Sequence, residues 1–169
     1  MASILNVDQI RSRAGTACIT IDTNGFISGK TISPAFVCRE SATTTLTSGS
    51  FESLSWTEEL DTNNAVSSGV FTVPSGQGGI YHFATGVTVN GIGSGTYVIT
   101  TLAIDGTEDN LYEVYNPTAI TNQATRQVNI ANLNAGQTVE FKVQQASGSN
   151  KDTGFTNDRK AFFCGFRVG

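Results

Sequence analysis

Along most of this chain apolar positions alternate with polar ones. Nowhere do they recur at helical spacing for long enough to form a stable helix. Period-two alternation rich in Val, Ile, Thr and aromatic residues marks strands. It predicts strands over 34–39, 51–56, 70–73, 80–89, 97–104, 111–115, 127–133, 138–144 and 161–168. Within them Phe36 and Cys38 share one face. So do Tyr81, Phe83, Val87 and Val89, with Gly86 marking a kink. Polar loops are expected at 41–50, 58–64, 90–95, 105–106, 117–121 and 147–158. About eight to ten short strands with turns about every 8–12 residues predict an all-β, antiparallel sandwich of the jelly-roll kind.

The opening segment reads differently. Residues 4–28 hold too few apolar positions for a core of their own. Residues 17–21 form a strand, Asn24-Gly25 a turn and 26–27 a resumed extended chain, while 7–11 is the one stretch that suits a helical turn. An isolated hairpin is marginal in water. Residues 1–33 are therefore expected to be an extended, hairpin-containing docking and oligomerisation segment ahead of a head at 34–169. Its apolar positions, Ile4, Leu5, Val7, Ile10, Ile19, Ile21 and Phe26, are the candidates for contact with a larger particle.

Composition narrows the function. Charged residues make up 14% of the chain, against about 25% in ordinary soluble domains. Gly, Ser, Thr and Asn fill the difference, as tight turns require. The net charge is −4, with no basic stripe, so nucleic acid is not an expected partner. No apolar run is long enough to span a membrane. The start of the chain lacks the apolar core of a signal peptide, so folding in the cytosol is expected. Cys18, Cys38 and Cys164 have no metal-ligand spacing. Free thiols are expected, with a Cys38–Cys164 bridge between the first and last head strands as the alternative.

The head resembles the complement first-component q and tumour-necrosis-factor superfamily. The matching stretches are PAFVCRES, GVFTVPSGQGGIYHFATGV, LNAGQTVEFKV and the terminal FFCGFRV, with Phe71, Pro74, Gly79, Tyr81, Phe83, Phe163, Gly165 and Phe166 in the expected order. The resemblance implies a homotrimer of jelly rolls packed around an apolar axis, with the first and last strands side by side. The opening LNVDQI and ITIDTNGFI resemble the N-terminal segment of bacteriophage tail-fibre and virion structural proteins. Together the two resemblances imply a trimeric virion fibre or adhesin, assembled in the host cytoplasm and docked to tail or capsid proteins. A capsid decoration subunit is the alternative.

Catalytic chemistry is not expected. The single histidine, His82, alternates with Tyr81 and Phe83 and reads as a surface or intersubunit imidazole. Glu58-Glu59 reads as a solvated loop rather than a glycosidase dyad. The glycine stretches lack the Lys-Ser/Thr of a phosphate loop. No cofactor is expected. Calcium is the one metal to weigh, with Asp105, Glu108 and Asp109 as candidate ligands in the loop after 97–104. The aromatic residues Phe36, Tyr81, Phe83, Phe141, Phe162, Phe163 and Phe166 are divided between core and trimer interface. The last strand sets Phe162 and Phe166 on one face and Phe163 on the other. Host-surface glycan or receptor contacts are expected from distal loops carrying Asn90, Ser94, Asp105, Asn110, Asn116, Asn122, Asn150 and Asp152.

Overall fold

The computed structural model describes residues 9–11, 17–21, 27–28, 33–154 and 160–168, of which the first three stretches and 109–110 are described in backbone alone. The chain divides into two compact units, Met1–Ile32 and Ser33–Gly169.

In the first unit β1 (Gln9–Arg11), β2 (Ala17–Ile21) and β3 (Ile27–Ser28) form a three-stranded antiparallel sheet in that order. The helical turn expected at 7–11 is thus a strand over its last three residues. Pairing to β2 supplies hydrogen bonds that a single helical turn cannot.

The second unit is a sandwich of two antiparallel sheets. One has the order β13 (Ile120–Leu133), β10 (Gly79–Ile92), β16 (Phe162–Arg167), β4 (Ala35–Glu40) and β7 (Trp56–Asp61). The other runs β12 (Thr107–Asn116), β11 (Thr96–Ile104), β14 (Thr138–Gln145), β9 (Val70–Thr72) and β8 (Val66–Ser67), with β6 (Glu52–Ser53) also paired to β14. A small ladder joins β5 (Thr45–Leu46) to β15 (Lys151–Asp152). The first and last strands of the unit, β4 and β16, lie side by side at the centre of one sheet.

Alternation places the core as the sequence pattern requires. Phe36, Phe71, Tyr81, Phe83, Phe141 and Phe163 all point between the sheets, each at most 2% exposed. Phe36 stacks on Phe71 at 4.8 Å and meets Phe163 edge-on at 4.8 Å. Such ring pairs add to the area term.

The turn expected at 105–106 is present, with β12 beginning at Thr107. Five expected loops contain strand: 41–50 holds β5, 90–92 continue β10, 120–121 begin β13, 147–158 holds β15, and Glu58-Glu59 lies in β7. The last is an edge strand. Its carboxylates are exposed even though the backbone pairs with β4, and charge on an edge discourages further strand addition. Polar composition there marks an edge, not a loop.

Candidate interaction face

The outer faces of the two sheets differ along their middle strands. On β14 the outward positions are Thr138, Glu140, Lys142 and Gln144. Lys142 bridges Glu108 at 3.1 Å and Glu140 at 3.7 Å, and Ser53 donates its hydroxyl to Glu140. Along β14 that face is polar and internally paired, whereas farther toward the sheet edge Tyr115, 59% exposed on β12, lies opposite Tyr97 on β11.

The other sheet is apolar outside. Residues directly opposite in antiparallel strands share a face. Val128 is opposite Ala84, Ala84 opposite Cys164, Cys164 opposite Val37, and Val37 opposite Leu60. This makes an unbroken apolar row across all five strands. One row toward the chain's entry, Ile130, His82, Phe166 and Ala35 lie in register. Ile130 is 71% exposed, Val128 63% and Phe166 48%. His82 stacks against Phe166 with centroids 5.0 Å apart, so the imidazole forms part of the apolar surface.

One row the other way, Arg126, Gly86, Phe162 and Arg39 lie in register. Gly86 is required by a close approach. A Cβ there would come within 2.5 Å of Arg126 Cδ and of Phe162 Cε1. The missing side chain lets Arg126 cross β10 and set its guanidinium 5.6 Å from the Phe162 ring centroid. Arg39 approaches the same ring at 5.8 Å and donates from Nε to Glu59 at 3.3 Å. Arg126 Nη1 donates to the carbonyls of Thr125, at 2.7 Å, and Val87, at 3.4 Å. Nothing in the local sequence signals this arrangement except a glycine inside a strand.

Beside the apolar row, β12 and β13 leave the sandwich edge open. A shallow groove of about 330 Å³ runs there, lined by Leu111, Tyr112, Arg126, Gln127, Val128 and Asn129. Val128 belongs to both groove and row, so face and groove form one continuous surface.

The seven aromatic candidates separate cleanly. Phe36, Tyr81, Phe83, Phe141 and Phe163 are core, whereas Phe162 and Phe166 stand on the outer face. Cys38 points inward and Cys164 outward, with Cys38 opposite Phe163. The bridge between them is therefore excluded, and both are free thiols. Burial and the nearby carboxylates of Glu58 and Asp61 push the Cys38 thiol up to about 12. Burial also raises Cys164, whose Sγ donates to the Ala84 carbonyl at 3.4 Å. Of the docking positions, Ile4, Leu5, Val7 and Phe26 lie outside the described residues, and Ile10, Ile19 and Ile21 are described in backbone alone.

The proposed calcium ligands do not share a loop. Asp105 sits in the two-residue β11–β12 turn, where its carboxylate accepts from Gln137 Nε2 at 2.7 Å and the Thr138 amide at 2.8 Å. Those bonds hold its pKa below the usual carboxylate value. Glu108 and Asp109 are on β12, and Glu108 is paired to Lys142, which lowers its pKa likewise. Among the described residues no group of three or more His, Cys, Asp or Glu is placed to hold a metal ion.

The loop candidates also divide. Ser94 and Asn150 are exposed in turns at the end of the head opposite the chain's entry, and Asp152 is exposed on β15. Asn90 and Asn122 are opposite one another on β10 and β13. Asn116 is buried, and its amide lies 3.5 Å from the Thr96 carbonyl, so it serves the fold. Asn110 is described in backbone alone. Asp105 lies at the other end, the nine residues of β11 away, roughly 30 Å. It does not belong to a distal cluster.

No family model matches the chain, and no curated protein matches it. Solved structures do match the fold. The globular domain of zebrafish complement 1qA protein superimposes with a TM-score of 0.56 at 16% identity, covering 80% of this chain and 98% of that one. Murine APRIL at pH 5.0 superimposes with a TM-score of 0.60 at 11% identity, covering 81% of this chain and 100% of that one. At these identities the likeness establishes the jelly-roll fold.

Proposed function

We propose that the protein is a non-enzymatic, homotrimeric subunit of a bacteriophage particle. Residues 1–33 dock and trimerise, and 34–169 form a projecting head that binds host-surface glycan or receptor. The observation that carries the trimer is the apolar row Val128–Ala84–Cys164–Val37–Leu60 on the outside of a folded domain. A contiguous apolar row reaching the surface marks an interaction site. Sheet face and edge groove meet at Val128 and Arg126 but are otherwise lined by different residues. Two unlike patches favour heterologous contact, which closes into a ring when the rotation allows it. The resemblance of the head to the complement and tumour-necrosis-factor heads supports three as the number, and the LNVDQI and ITIDTNGFI motifs support the phage setting.

Light scattering on the full-length protein tests the assembly, and three chain masses are expected. Replacing Ile130 by Asp, the most exposed apolar position of the face, is expected to yield monomers that keep their β-sheet circular dichroism. Wild-type protein that is monomeric at all concentrations overturns the trimer. Host attachment is tested by saturable binding of the trimer to host cells and its loss when Ser94 and Asn150 are replaced together. A trimer that ignores host cells but binds assembled capsids is instead a decoration subunit.

A further inference from the structure

We infer that the Arg39–Phe162–Arg126 row is an oxyanion site, taking an ion of the phosphate or sulfate class where the face is covered by a neighbouring copy. The inference rests on the trimeric reading. On β13, β10, β16 and β4 no outward-facing position among the described residues is a carboxylate. Glu59, on the edge strand, answers Arg39 alone. Two guanidiniums against one carboxylate leave each copy with one net positive charge in this row, and a closed ring with three.

Assembly makes that charge costly. Covering the apolar rows beside it removes water from the same face, and a desolvated cation needs a counter-charge. The geometry is already set in the single chain. Gly86 leaves the space through which Arg126 reaches Phe162, and the ring holds both guanidiniums by cation–π contact. Arg39 hydrogen-bonds through Nε and Arg126 through Nη1. A guanidinium has five N–H donors in a planar fork suited to oxyanions, so each retains donors for a ligand. Chloride, a monoatomic ion, cannot engage two forks in this way.

The test is thermal unfolding of the full-length protein in sodium phosphate, sodium sulfate or sodium chloride at matched ionic strength, with the mass read by light scattering in each. A saturating rise in melting temperature with phosphate and sulfate, beyond that in chloride, is expected. Arg126→Gln and Arg39→Gln should each abolish the excess, with light scattering giving the mass of each variant. Arg126→Lys, which keeps the charge but not the fork, should retain only part of it. Linear polyphosphate separates two sources of the group. A response equal to that of the inorganic ion indicates a polymer-borne phosphate reaching an open site, and a response to the small ion alone indicates an enclosed one. A trimer that phosphate stabilises no more than chloride overturns the inference, as does an undiminished response in Arg126→Gln. Should the wild type prove monomeric, the trimeric reading fails by mass, and the site stands only if the Arg126-dependent phosphate response persists.

Discussion

Glu40, on the first strand of the head, is 1% exposed and accepts a hydrogen bond from the Thr153 hydroxyl, a residue 113 positions later. Its other carboxyl oxygen accepts from the Ala161 amide at 3.2 Å, and its own amide donates to the Ala161 carbonyl at 2.9 Å. One side chain thus ties both Thr153 and Ala161 to the end of β4. Replacement by Ala leaves a buried hydroxyl and a buried amide without that partner, which costs about 1–3 kcal/mol each where nothing replaces the bond. Glu40→Ala is expected to lower the urea midpoint. Unchanged stability would remove the carboxyl from this role.

Phe163 and Phe166, three positions apart on β16, should behave oppositely. Phe163 is fully buried against Phe36, Phe83 and Phe141. Truncating such a ring costs about 3–5 kcal/mol. Phe163→Ala is therefore expected to shift denaturation strongly at any protein concentration. Phe166→Ala should hardly change the isolated chain's stability and should instead raise the concentration needed for assembly, as sedimentation velocity can read. Equal effects of the two on unfolding would count against an outward interface.

Much of this architecture is legible in the chain. Alternation on 80–89 separates Tyr81 and Phe83 from His82, and alternation on the last strand separates Phe163 from Phe162 and Phe166, because a strand's period of two leaves no freedom in which face a residue takes. Position across the sheet is not legible in this way. That Val128, Ala84, Cys164, Val37 and Leu60 line up depends on long-range register between strands far apart in sequence. The same holds for the Arg39–Phe162–Arg126 stack and for Glu40 with Thr153. Strand β7 was hidden for another reason. An edge strand buries little, so Glu58 and Glu59 carry no alternation to read. Asp105 shows the converse error, since its acidic neighbourhood in sequence is divided by a two-residue turn and a strand.

Acid should weaken the β11–β12 turn through Asp105. Its bonds to Gln137 and Thr138 place its folded pKa below the unfolded value. A carboxyl lowered in this way stabilises the fold above its unfolded pKa, near 3.9, and the contribution is lost as pH falls through the folded value. Wild-type stability should therefore drop on acidification below about pH 4 by more than that of Asp105→Asn, which carries no titrating group there. The comparison is made by urea unfolding at a series of pH values, and parallel curves would exclude the contribution.

The two head thiols provide a last, independent reading of the faces. Cys38 is fully buried between the sheets, and with its pKa raised to about 12 it is present as the thiol at neutral pH. The thiolate is the reactive form, so Cys38 should react with a disulfide reagent only on unfolding. A raised thiol pKa stabilises the fold below the unfolded value, near 8.5, and that contribution is lost as pH climbs toward about 12. Stability should consequently fall through this alkaline range, and Cys38→Ser should flatten the fall. Cys164 lies half-buried in the apolar row itself. It should react in a dissociated Ile130→Asp chain and be protected in the wild-type assembly, with mass spectrometry assigning the labelled residue. Equal labelling of Cys164 in both would show that the face stays open to solvent.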